Sequence, residues 1–178
     1  MKKILLSLLA IMTFGLTAGA QQKNGKILVA YVSMTGTTAK AAKALASVTG
    51  GTLYEIAPAK RYTSADLDWR NEKSRCYVEM HNRKLRPTLK GKKADIAKYD
   101  IIYLGYPIWW NVAPTLINSF IEAHNLKGKT VIPFATSGGS TIANSVNELK
   151  KTYPYIKWQN GKLLNGANEK NIRQWLKK

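Results

Sequence analysis

The stretch Ser33-Met34-Thr35-Gly36-Thr37-Thr38 sets four hydroxyl side chains around one glycine. Hydroxyls donate hydrogen bonds and glycine lets a backbone approach closely. A helix starting just after them aims its free N–H groups and positive dipole end at an anion. A phosphate suits such a loop. The spacing and lysine of a GxxxxGK[ST] loop are missing, and so is GxGxxG, so neither triphosphate hydrolysis nor a dinucleotide fingerprint is indicated. A single terminal phosphate fits better. The plainer alternative is that residues 33–38 only cap a helix.

Tyr106-Pro107-Ile108-Trp109-Trp110-Asn111 brings two adjacent indoles behind a proline, a flat apolar surface suited to a flat ring system. Core packing accounts for one of the two tryptophans, and their side chains diverge. Thr136-Ser137-Gly138-Gly139-Ser140 is a third small, polar stretch. Other chemistry is poorly supplied. His81 and His124 stand in no metal-ligand spacing. No Gly-x-Ser-x-Gly elbow exists, and no carboxylate pair suggests acid–base work. No catalytic residue and no metal ligand is assigned from sequence.

These stretches need elements to hold them. Residues 26–32 and 100–106 are short apolar runs expected to be strands buried on both faces. Residues 52–57, 130–135 and 156–164 read as further strands. Pro133 inside the fourth implies a bulge or an unpaired N–H. Residues 36–49, 114–123, 141–152 and 168–177 read as helices, the first stopped by Gly50-Gly51 and the last capped by Asn168. Strands alternating with helices imply a parallel sheet. The three polar stretches follow the first, third and fourth strands, so they share the carboxyl edge, where ligands bind in open α/β sheets. Residues 58–99 exceed what a crossover needs. Thr63 and Asp66 have capping-box spacing, predicting a helix from there to about His81. Between Lys60 and Lys93 stand eleven Lys/Arg against four Asp/Glu.

Ser-x-Thr-Gly-x-Thr after the first strand, Gly-Tyr-Pro-Ile-Trp-Trp after the third, and Thr-Ser-Gly-Gly-Ser after the fourth together resemble the flavodoxins, over essentially the whole chain beyond residue 20. The resemblance is to a bacterial branch with a long second crossover. It implies an α/β fold with a doubly wound five-stranded parallel sheet, order 2-1-3-4-5, and helices on both faces. It implies FMN as cofactor, with Ser33, Met34, Thr35, Gly36, Thr37 and Thr38 around the phosphate. It also implies that Tyr106, Pro107, Ile108, Trp109, Trp110 and Asn111, with Thr136, Ser137, Gly138 and Gly139, flank the ring. Asn111 stands where that branch commonly has glycine. Carrier flavodoxins are typically acidic, whereas basic surroundings here would favour the reduced, anionic flavin.

The chain has 178 residues, 45% of them hydrophobic and 21% charged, which is a globular composition with room for one domain. Lys2 and Lys3, the apolar stretch 4–16 and Ala18-Gly19-Ala20 read as a signal peptide over residues 1–20. The FMN-binding domain then spans 21–178, exported to the periplasm or outside, and is not an integral membrane protein after signal removal. No twin arginine is present, which points to export of the unfolded chain. Cys76 is the only cysteine and cannot form an internal bridge. The net charge is +18, of which the two signal lysines contribute two. It favours anionic partners, and export argues against nucleic acid. The expected function is electron transfer through FMN to a redox partner protein or quinone, acidic or membrane-associated. The alternatives are an FMN-dependent NAD(P)H:quinone-type oxidoreductase and a non-redox anion binder on the same scaffold.

Overall fold

The computed structural model describes residues 25–177; the expected signal peptide lies outside them. The chain runs β1 (Ile27–Tyr31), α1 (Thr37–Thr49), β2 (Thr52–Glu55), α2 (Arg75–His81), β3 (Ile101–Pro107), α3 (Thr115–Ala123), β4 (Thr130–Thr136), α4 (Ala143–Thr152), β5 (Lys157–Trp158), β6 (Lys162–Leu163) and α5 (Glu169–Leu176). All pairings in the sheet are parallel, in the order β2-β1-β3-β4-β5. That is the expected doubly wound topology.

The two-residue alternation of β1 explains the layers. Leu28, Ala30 and Val32 enter one core with Leu116, Phe120 and Ile121 of α3 and Leu149 of α4. Val29 and Tyr31 enter the opposite one with Ala41, Ala42 and Leu45 of α1 and Ile172 of α5. The alanines of α1 let this helix lie close on the sheet. Among the described residues no helix is long and apolar enough to cross a membrane.

Two sequence expectations need correction. The fifth strand is not continuous: β5 pairs with β4 at Thr130 and Val131, and β6 at Phe134 and Ala135. Between them stands Pro133. β4 keeps unbroken register with β3 through Leu104↔Pro133, so it carries no bulge on that side. The carbonyls of Val131 and Ala135 accept from Gln159 and Leu164. Pro133, two residues from each, turns its donorless nitrogen the same way. The interruption falls on the neighbour that would have needed that N–H.

The helix expected over residues 63–81 is also broken. The capping box forms: Thr63 N and Oγ1 donate to Asp66 Oδ2 (2.8 and 2.9 Å), and Asp66 N donates to Thr63 Oγ1 (3.1 Å). These bonds hold the Asp66 carboxyl below its ordinary range. Yet only a 3-10 turn, Ala65–Leu67, follows. Asp68 accepts from Arg70 N, and Asn71 from Lys73 N, and such local turns compete with helix. The helix restarts at Arg75 under a Ser74 cap. The excursion closes on itself at a neck: Ala59 N donates to Thr88 O and Lys90 N to Ala57 O, both 2.8 Å, around an antiparallel Pro58↔Leu89 bridge. Arg83 donates to the Ala113 carbonyl just before α3 (2.9 Å) and Arg86 to Glu122 within it (2.7 Å), tying the excursion to that part of the scaffold.

His124, buried at the end of α3, accepts from Ala94 N at Nε2 (3.1 Å) and pairs through Nδ1 with the Phe120 carbonyl (2.7 Å). This arrangement requires the neutral ring. Burial, with Lys93 nearby, lowers its pKa against the opposing pull of the Phe120 carbonyl. A depressed histidine contributes stability above its unfolded pKa of about 6.5 and loses it as pH falls below that value. Melting temperature is expected to be flat above pH 7 and to fall from pH 6.5 towards 5. The slope, at most about 1.4 kcal/mol per pH unit, should largely vanish in His124→Gln. A slope unchanged in that variant would exclude His124 as its source.

Candidate functional site

At the carboxyl edge of the sheet the loops after β1, β3 and β4 meet around a cavity of about 890 Å³. Its lining contains no charged side chain. Met34, Thr35, Thr37 and Thr38 contribute from the first loop, Pro107, Ile108, Trp109 and Trp110 from the second, and Thr136, Ser137, Gly138, Gly139 and Ser140 from the third.

The first loop turns into α1 through Gly36 at φ 90°, a conformation that disfavours any side chain. No side chain caps α1, so its leading N–H groups are left for an external acceptor. Ser33 Oγ is buried and has no hydrogen-bond partner among the described residues. Two other orphans, Thr115 Oγ1 and Asn118 Oδ1, sit on α3. A buried hydroxyl beside an uncapped helix start is the environment expected where an anion is to be received.

The loops brace one another. The hydroxyls of Thr38 and Thr136 share a buried hydrogen bond (2.8 Å), and Ile108 N donates to Thr136 O (2.8 Å). Ser137 Oγ accepts from Gly139 N and Ser140 N. Asn165 accepts from Ser137 N (2.9 Å) and donates to Ser137 O (2.7 Å).

The second loop is a tight turn in which Trp109 and Val112 exchange backbone hydrogen bonds (3.0 and 2.9 Å). Its central residues, Trp110 at φ 44° and Asn111 at φ 65°, are both left-handed. Turns with two positive φ values favour Asn-Gly; a tryptophan there costs roughly 1–3 kcal/mol. The excursion between β2 and β3 supplies the restraint. Trp110 meets Tyr77 and His81 edge-on at 5.8 and 5.7 Å, and those two rings stack at 3.8 Å. Trp109 meets Tyr62 edge-on at 5.8 Å. Tyr62 donates to Glu79, which also accepts from Arg75 Nε (2.6 Å). Burial, followed by Glu79, raises the Tyr62 pKa and keeps the phenol protonated.

Not every sequence candidate faces the cavity. Tyr106 points into the core, fully buried, with its hydroxyl 3.1 Å from Ser145 Oγ and its pKa pushed up to about 12 by burial. Asn111 contributes a carbonyl that accepts from Asn144 Nδ2 (3.0 Å). Ser33 and Gly36 belong to the first loop but are not among the residues lining the cavity. Leu67, Trp69, Cys76, Asn165 and Gly166 line the cavity without having been singled out for it. Asn165-Gly166 follows the last strand-like run, so the shared-edge rule that located the other loops could have found it. Among the described residues no three His, Cys, Asp or Glu side chains gather as metal ligands.

A family model described as flavodoxin matches residues 26–178. The fold is similar to a candidate flavoprotein from Bacteroides eggerthii, 61% identical, with a TM-score of 0.84 and coverage of 86% of this chain and 96% of that one. It is similar to another from Bacteroides uniformis, at 58% identity, TM-score 0.85, and coverage of 86% and 99%. A flavoprotein in complex with FMN from Lactobacillus acidophilus shares the fold at 21% identity and TM-score 0.68, covering 85% and 99%. No curated protein matches the chain.

Proposed function

The chain belongs to the flavodoxin family, and from that premise we propose that it is an exported electron-transfer protein that holds FMN non-covalently. The observation carrying this reading is the uncapped start of α1, preceded in the same loop by the buried, partnerless Ser33 hydroxyl, where Thr35, Thr37 and Thr38 line a cavity that Trp109 and Trp110 also line. Ser33, Thr35, Thr37 and Thr38 would donate to the phosphate with the N–H groups around Gly36, all neutral donors backed by the helix dipole. Trp109 and Trp110 on one side and Ser137 to Gly139 on the other would flank the ring. Tyr106 and Asn111 would act through the backbone they hold in place. FMN bound there supplies the capacity to take up and release electrons.

Export rests on the signal-like residues 1–20. The basic surface, including exposed Arg61, Arg70, Lys84 and Lys90, suits an acidic or membrane-associated redox partner whose docking weakens with salt.

The test is to mix the mature protein with FMN, desalt it, and record the flavin absorbance and fluorescence. Retained, quenched flavin is expected. No retention at micromolar protein would overturn the cofactor reading and leave anion binding as the function of the loop. Rapid bleaching of retained flavin by NADH or NADPH would replace the carrier with a nicotinamide-dependent reductase.

A further inference from the structure

Trp69 lies on the excursion between β2 and β3, lines the same cavity, and is 61% exposed. Trp110, in the loop after β3, lines it too and is 40% exposed. A scattered exposed apolar side chain needs no explanation, but two indoles open to water on one concave rim mark a place where something flat is received. Trp110 is already met on its edges by Tyr77 and His81, whereas Trp69 has no aromatic neighbour among the described residues and carries only the Arg70 guanidinium, 5.2 Å from its ring centroid. Leu67, from the same excursion, also lines the cavity.

We propose that this rim is a second ligand site, taking a planar aromatic anion that stacks on Trp69 with its charge towards Arg70, beside the place of the flavin ring. The proposal rests on the FMN reading. It divides the cavity in two. Loops after β1, β3 and β4 serve the cofactor, and the excursion serves a small electron-exchange partner. Stacking supplies most of the affinity because the ring face is available on both molecules. Arg70 adds a preference for anionic over neutral rings, and this preference fades with salt because the residue is exposed.

The probe is 1,4-naphthoquinone-2-sulfonate, titrated calorimetrically into FMN-loaded protein without reductant, with flavin absorbance read on the same samples. One saturable site is expected. Trp69→Ala should weaken it about tenfold or more, Trp69→Phe should retain most of it, and Arg70→Gln should remove its salt dependence. Absence of saturation, or an affinity unchanged by Trp69→Ala, would overturn the proposal. Loss of FMN from Trp69→Ala alone would also overturn it, assigning Trp69 to the flavin instead. Failure of the unmodified protein to hold FMN would bring down the cofactor reading, and this one with it.

Discussion

Thr37→Asp is expected to abolish useful FMN binding while leaving the fold as stable as before. Thr37 is the first residue of α1, exposed, and lines the cavity. A carboxylate there suits the helix itself, because a negative charge at an uncapped N-terminus is stabilising by about 0.3–1 kcal/mol. It competes for the N–H groups that the phosphate needs and repels the phosphate besides. Two charges 4 Å apart at an effective dielectric near 20 interact by about 4 kcal/mol, so affinity should fall on the order of a thousandfold. Thr37→Ser, which keeps the hydroxyl, should bind within a few-fold of the parent. The measurement is FMN fluorescence quenching beside a melting curve. A less than tenfold loss in the aspartate variant would mean that the phosphate does not sit at this loop. A collapsed melting temperature would mean that Thr37 has a structural task its exposure does not reveal.

Gly105→Ala should be among the most damaging single-methyl additions to this protein. Gly105 pairs with Phe134 across β3 and β4, and a Cβ on it would lie 2.1 Å from Phe134 Cζ and 2.5 Å from Cε2. The ring covers the glycine, an arrangement in which an aromatic side chain makes up for the missing one. Phe134 is fully buried, packed with Leu45 of α1 and Ile172 of α5, so it has nowhere to retreat. Overpacking of this kind costs typically 1–3 kcal/mol and sometimes more; about 3 kcal/mol corresponds to a melting temperature lowered by roughly 6–12 °C. Phe134→Leu in the same chain should recover part of the loss. A single variant melting within about 2 °C of the parent would show that the ring can move after all.

What the sequence made legible follows a physical division. Patterns set by one segment alone were readable: the alternation of β1, the stop at Gly50-Gly51, the Asn168 cap that accepts from Asn171 N. The meeting of three loops was readable too, because in a parallel sheet chain order decides which ends share an edge. Features set by a neighbour distant in sequence were not. Gly105 reads as one apolar-run residue among others until Phe134 is placed on it. Pro133 announced a missing donor, but not that the strand opposite would be the one to break. Trp69 was hidden inside a stretch read as helix, although Asp68 and Asn71 beside it are the turn-forming residues that end the helix early. Tyr106 was grouped with its loop by adjacency. Counting alternate residues from Ile102 through Leu104 would have turned it inward.

The neck at Pro58 and Leu89 has a consequence for how the protein can be altered. The excursion leaves the scaffold and returns to it at adjacent points, so its length and content are almost independent of the spacing between β2 and β3. Closing a longer or shorter loop at a fixed neck changes the entropic cost only logarithmically, about 0.6 kcal/mol per doubling. The segment between Ala59 and Thr88 is thus a cassette closed at its own neck. Its exchange would re-specify what approaches the cavity, provided any replacement reproduced the fastenings of Arg83 and Arg86 and the aromatic contacts of Tyr62, Tyr77 and His81 that hold Trp109 and Trp110.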